Sequence, residues 1–341
     1  MIPFVFIVLG LCIGSFLNVV ILRYNTGKGL NGRSQCFSCA RQLTSRDLWP
    51  VFSFLFSGGR CRTCKSKISK QYILVEIATA FLFYLAYLHN APLLSSLDGT
   101  GSPAIVLFLI KSILDCIIMS LLVFMAGYDI RHKIIPDAAV FTFSGLALLS
   151  SFITLFSTSY ANVIMSGGSM WPSIWWLLAA GPLLALPFYL IWLLSGGRWM
   201  GLGDAKLALG FGWMLGLALG GTAVFFGFWV GAAYAILIML LRPTVALGNK
   251  LLIVVLAALA LSAEMKYGVL QVSNITVIAV CVVLMIPILL SNTPFLKKRT
   301  LWGHLPALEM KSEVPFAPFL IIGLLIVYVL GYNLFTLNMW L

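Results

Sequence analysis

Long uninterrupted apolar runs recur along this chain, and they restrict its fold more than any other feature. A helix needs about 20 apolar residues to cross the hydrocarbon of a bilayer. Runs of that order fall at about 2–22, 72–90, 104–128, 136–157, 174–195, 205–219, 222–241, 250–263, 275–291 and 316–338. They are continuous rather than alternating, which argues against a β-barrel. The expectation is an all-α, polytopic helical membrane protein of about 8–10 spans. Composition agrees, since the chain is 61% hydrophobic and 9% charged, with a mean hydropathy of +1.03. The runs 205–219 and 250–263 are short for a full crossing, so tilt, a break or partial burial in protein is expected there.

The formal net charge of +12 is explained by where the charges lie rather than by a nucleic-acid partner. Ten Lys or Arg stand between Arg23 and Lys70, against one acid, Asp47. The segments 91–104 and 157–173 carry no basic residue. Such alternation follows the positive-inside rule. It places the N-terminus outside and the 23–71 loop in the cytoplasm. Ten spans then leave 20 of 22 basic residues at the cytoplasmic face, with Lys111 and Lys266 as the exceptions. The first 24 residues lack the basic start and cleavage pattern of a signal peptide, so they read as a retained span.

Cys12, Cys116 and Cys281 lie alone in apolar runs and read as small packing residues. The other four cysteines stand in "CFSC" (Cys36, Cys39) and "CRTC" (Cys61, Cys64). Two Cys-x-x-Cys knuckles at this separation match a structural zinc site, in which four thiolates close a tetrahedron. Disulfides are the other reading, and a cytoplasmic loop disfavours them. The loop is too small and polar to bury much core, so metal binding is expected to supply much of its folding energy. Basic neighbours, among them Arg33, Arg60, Lys65 and Lys67, suit a domain resting on anionic membrane lipid.

Ionisable residues within a membrane are expensive, so each acid near a span is a functional candidate. Asp129, in "GYDIRHKIIPD", ends the third span, where the helix dipole disfavours an acid. Asp204, in "GLGDAKL", opens the sixth at the same face. Gly201 and Gly203 are expected to form a tight turn beside it. Two carboxylates brought together share one proton, because ionising both is costly. Such a pair does aspartic-protease chemistry: one activates water while the other protonates the carbonyl. Asp204 also suits a helix N-cap, and that reading stands beside the first. Pro136 and Asp137 read as a helix start. Glu76, one turn into the second span, either lines a site or pairs with a basic neighbour. Lys111 and Asp115, at i and i+4, neutralise one another.

In this order the motifs resemble the bacterial type IV prepilin peptidase family, also called leader peptidase/N-methyltransferase, membrane aspartic peptidases of the Gly-x-Gly-Asp type. "GSFLNVVILR" (14–23) is similar to the first-span signature, and residues 36–80 to the zinc region and the start of the second span. "DIRHKIIPD" (129–137) and "GLGDAKL" (201–207) are similar to the two aspartate motifs, and "EVPFAPFL" (313–320) to the closing segment. The resemblance implies removal of the basic leader from prepilins and pseudopilins of type IV pilus or type II secretion systems. The cut would fall after a glycine at the cytoplasmic face of the bacterial inner membrane. It implies Asp129 and Asp204 as the catalytic pair, Cys36, Cys39, Cys61 and Cys64 as zinc ligands, and methylation of the new N-terminus with S-adenosylmethionine. Glu76 matches an acid associated with that methylation.

The corresponding division is a first span (1–24), a four-cysteine loop (25–71), a peptidase core (72–241), an extra hydrophobic hairpin (242–300), and a closing motif with the last span (301–341). Phe37, Ile73 and Ala317 depart from the family pattern and bear on substrate fit and methylation. Two other function classes fit a polytopic chain: a proton-coupled transporter with relay carboxylates, and a non-enzymatic zinc-bearing assembly factor. A transporter is expected to set its acids near the midplane and to show internal repeats.

Overall fold

The structure, a computed structural model, describes residues 1–26, 32–95, 102–166, 171–198, 200–241 and 315–331. Among these residues it is helical, with only two isolated β-bridges, Gln35 with Gln42 and Arg60 with Lys67. The helices are α1 (Ile2–Arg23), α2 (Phe52–Phe56), α3 (Gln71–Asn90), α4 (Pro92–Ser95), α5 (Ser102–His132), α6 (Asp137–Ser166), α7 (Trp171–Ser195), α8 (Leu202–Leu241) and α9 (Ala317–Leu330). Six among the described residues are long and apolar enough to cross a membrane: those in α1, α3, α5, α6, α7 and α8. The chain is therefore a multi-pass membrane protein. The expected runs 250–263 and 275–291, the 242–300 hairpin and Cys281 lie outside the described residues.

The chain divides into two compact units, Met1–Gly220 and Gly221–Leu341. In the first, α1 and α3 pack backbone against backbone. A Cβ on Gly10 would meet Ala80 Cα at 2.5 Å, and one on Gly14 would meet Glu76 Cα at 2.7 Å. Small residues four apart let helix backbones touch in lipid, where dispersion replaces the hydrophobic effect as the attraction. Asn18, one turn on, donates from Nδ2 to the Tyr72 carbonyl at 3.0 Å, so the same face of α1 closes on the start of α3. Phe143 of α6 meets Phe211 of α8 edge to face, with centroids 6.2 Å apart, and both rings are fully buried.

A second cluster spans three helices at the end of the bundle away from Arg131. Asn90 (α3) donates to Asp115 Oδ2 at 2.8 Å. Lys111 (α5) donates to Ser150 Oγ (α6) at 2.7 Å, and that hydroxyl donates to Asp115 Oδ1 at 3.2 Å. Lys111 and Asp115 do pair, at 3.9 Å, but each also reaches a neighbouring helix, so the pair is a clasp rather than a local neutralisation.

The runs expected at 205–219 and 222–241 are parts of α8, and the break falls earlier, at Gly216 (φ 79°, ψ 174°). A Cβ on Gly220 would stand 3.2 Å from the Phe211 carbonyl oxygen. In a straight helix residues nine apart are separated by about 13 Å along the axis, so the chain doubles back at Gly216. Only glycine enters that backbone region readily. In the second unit, α9 lies against α8: Phe228 meets Phe316 with centroids 4.9 Å apart, and Gly323 sits on the backbone of Ala223 and Gly227.

Candidate functional site

Helix α5 runs to His132, one turn past the expected end at residue 128. Asp129 is therefore in its last turn, and its carbonyl accepts the Lys133 N–H at 2.7 Å. Lys133 takes a positive φ of 55°, which ends the helix. Pro136 is buried, and its carbonyl accepts from Ala139 and Val140, which starts α6. The turn 133–136 thus joins two helices within a few residues and fixes Asp129 beside the start of α6.

Helix α8 begins at Leu202, so Asp204 lies inside its first turn rather than at the N-cap. An acid there still gains from the helix dipole. The tight turn expected at Gly201 and Gly203 is instead made by Gly196 and Gly197, which carry the positive φ values. Gly203 serves closeness: a Cβ on it would stand 3.1 Å from Ile135 Cδ1. Lys206 Nζ reaches Asp137 Oδ1 at 2.6 Å. These contacts bring the two aspartate motifs together. Asp129 is 4% exposed and Asp204 9%, and the two carboxylates act on each other electrostatically. His132 packs on Tyr128, with ring centroids 4.3 Å apart.

Glu76 is also buried. Its Oε2 accepts the Val51 N–H at 2.7 Å, a partner from the four-cysteine loop and not the basic neighbour that was one expectation.

The four-cysteine loop holds its two knuckles in matching geometry. Cys36 N–H donates to Arg41 O and Ala40 N–H to Cys36 O; Cys61 N–H donates to Ser66 O and Lys65 N–H to Cys61 O. Ala40 and Lys65 both take positive φ. The four Sγ atoms lie within 4.8 Å of one another, and Cys36 Sγ is 3.8 Å from Cys64 Sγ. Tetrahedral thiolates at a Zn–S length of about 2.3 Å stand about 3.8 Å apart, so the cluster can hold a metal ion. The Cys39 and Ser38 N–H groups draw the Cys36 thiol down to about 6, and the Ser66 hydroxyl lowers Cys64. The Arg41 N–H pulls Cys39 the same way, but burial and the Cys64 and Cys36 sulfurs push it up to about 11. Thiolates this close repel unless a cation lies among them.

Asp47 is a site residue that its sequence context does not reveal. Its carboxylate accepts from the Thr44 hydroxyl at 2.8 Å and pairs with Arg62 at 3.1 Å and Arg41 at 3.9 Å. It thereby staples one knuckle to the other. Burial disfavours its charge, but the Thr44 donors and then Arg62 and Arg41 outweigh that, holding Asp47 below the usual carboxylate range.

Comparison with known proteins gives two family matches. Residues 8–90 match the bacterial peptidase A24 N-terminal domain, and residues 116–236 match the type IV leader peptidase family. A prepilin leader peptidase/N-methyltransferase of Klebsiella pneumoniae is 30% identical, over 61% of this chain and 82% of that protein. Its namesake from Bacillus subtilis is 30% identical, over 67% and 79%. The one from Pseudomonas aeruginosa is 27% identical, over 69% and 80%. No solved structure matches.

Proposed function

Because the chain belongs to the type IV leader peptidase family, we propose that it is a membrane aspartic endopeptidase that removes the basic leader from prepilins and pseudopilins, and that it methylates the new N-terminal residue. What supports the peptidase reading is that Asp129 and Asp204 are both buried on segments that the Gly203–Ile135 and Lys206–Asp137 contacts bring together. One, ionised, takes a proton from water as it attacks the scissile carbonyl. The other, protonated, donates to the carbonyl oxygen. Lys206, Asp137, Pro136 and Gly203 hold the two segments in place and act through position. Among the described residues beyond its chain neighbours, none comes closer than 3.9 Å to a Cβ added at Gly201, which leaves room at that position for an extended peptide.

The basic residues flanking these helix ends support a site at the cytoplasmic face of a bacterial inner membrane. In the loop, Cys36, Cys39, Cys61 and Cys64 would hold zinc, which when bound supplies structural closure of the two knuckles. S-adenosylmethionine would supply the methyl group. Glu76 is the proposed contact for this donor, yet its Oε2 is taken by Val51, so its described neighbours fit support of the loop better than a donor cradle.

The test is cleavage of a prepilin by purified wild type, Asp129→Asn and Asp204→Asn proteins with S-adenosylmethionine present, read by mass spectrometry. The wild type is expected to release the leader and add one methyl group. Both variants are expected to release none while keeping their helical circular dichroism. Cleavage by either variant would sink the two-aspartate mechanism, and an unmethylated product would remove the second activity.

A further inference from the structure

The stretch "LWPVFSFLF", residues 48–56, is uncharged and apolar inside a loop that is otherwise basic. Its large side chains are not folded away: Trp49 is 63% exposed, Leu55 61% and Phe56 81%. A soluble loop would leave this apolar surface in water at a cost that grows with its area.

The position of the segment resolves the conflict. Val51 is tied to Glu76 by the 2.7 Å bond, and Glu76 lies five residues after the start of α3 at Gln71. At 1.5 Å per residue this is roughly 8 Å along the helix axis, inside the apolar span Gln71–Leu94. Val51 and Phe52 line an apolar groove of about 310 Å³ with Ile7 and Leu11 of α1 and Ile77 and Phe81 of α3. Those partners belong to the membrane-spanning parts of both helices.

Irregular backbone at such depth survives only when its polar groups are satisfied by protein. Several of them are paired within the protein here. Phe52 N–H donates to Pro50 O, Ser53 N–H to Trp49 O and Leu55 N–H to Val51 O, while Glu76 takes the Val51 N–H. Val51 itself is a β-branched residue at a φ of 60°, a conformation that persists only where surroundings impose it. Glu76 supplies that constraint.

We propose that residues 48–56 form a wedge inserted into the bilayer. Its outer face, Leu55 and Phe56 above all, contacts lipid acyl chains, and the groove beneath Val51 and Phe52 takes part of one such chain. The lipid commitment follows from depth: side chains that point outward from α1 and α3 at this level meet hydrocarbon. Basic residues that follow the wedge, Arg60, Arg62, Lys65 and Lys67, lie where anionic headgroups sit.

The test places the photoreactive residue p-benzoylphenylalanine at Phe56, or at Arg62 as a control, in the full chain reconstituted into nanodiscs of phosphatidylethanolamine and phosphatidylglycerol. After irradiation, mass spectrometry is expected to find acyl-chain adducts at position 56 at least five times more often than at position 62. Glu76→Ala in the same background is expected to reduce the yield at position 56 several-fold with helical circular dichroism intact, whereas Glu76→Gln, which keeps an acceptor, retains it. Equal yields at positions 56 and 62 would overturn the proposal. So would adducts at 56 that fall on residues 242–314 of this chain, or on an added prepilin in place of lipid. An unchanged yield in Glu76→Ala would overturn the role given to Glu76.

Discussion

The aspartate pair and the four-cysteine loop are both built from two short motifs, yet they are assembled by opposite means. Asp129 and Asp204 are far apart in sequence, and the segments that carry them are brought together by contacts between the α5–α6 turn, α6 and α8. Their neighbours, Ile135 against Gly203 and Phe143 against Phe211, are the packing that positions them. The cysteines meet within one small loop, and the groups that hold them are turns, the Asp47 staple and the sulfurs themselves. Helix packing is what orders the segments of the first. The second gathers four cysteine sulfurs within 4.8 Å of one another, a cluster that could hold a metal ion. A perturbation should therefore reach one site and spare the other.

Substituting the carboxylates is the largest separation of the two. Asp204→Asn or Asp129→Asn is expected to lower cleavage below detection, by on the order of 10³-fold or more, as loss of an acid–base partner does. Metal content of the loop, measured by atomic absorption, should stay at one ion per chain. A loss of metal in either variant would mean the two sites are not independent.

Metal removal is the reverse experiment. Chelation, or Cys61→Ser, should expose residues 36–67 to limited proteolysis while the helical circular dichroism holds, because structural zinc contributes on the order of 10 kcal/mol to such loops. Retained protection would show that Asp47 and the turns suffice alone.

A smaller effect is expected where the two regions share a support. Gly14→Val pushes a side chain into the backbone of α3 at Glu76 and should destabilise by about 1–3 kcal/mol, as overpacking does, read as a lowered Tm. Because Glu76 carries Val51, proteolysis of the loop should rise as well. A lowered Tm with an unchanged loop would separate them again.

The smallest effect is expected from Lys206→Ala. Its partner Asp137 is 66% exposed, and exposed pairs contribute about 0.2–1 kcal/mol, so cleavage should fall a few-fold at most. The swap Lys206→Asp with Asp137→Lys should recover part of that loss. A fall matching that of the aspartate variants would make Lys206 part of the chemistry rather than of positioning.

What could be read from sequence follows the same division. Membrane helices announce themselves because a bilayer demands long apolar runs, and the knuckles because metal geometry demands fixed spacing. The exact helix ends did not follow from sequence. In "LGLALGG" several glycines can break a helix, and the fold-back beside Leu184 and Phe211 decides for Gly216. Asp204 has the signature of an N-cap, yet the helix starts two residues earlier because Gly203 must lie in the first turn to meet Ile135. Asp47 and the partner of Glu76 were illegible for a different reason: each gains its meaning from a residue brought near only by the loop's tertiary turn.

The clasp of Asn90, Lys111, Asp115 and Ser150 carries a consequence for biosynthesis. Lys111 and Asp115 enter the membrane on one helix, while the hydroxyl that bridges them arrives 35 residues after Asp115. Until then the two charges rely on each other and on groups of α3, Asn90 among them, to offset transfer out of water. Docking of the three helices is thereby coupled: Lys111 and Asp115 gain their full set of partners only once α6 has joined α3 beside α5.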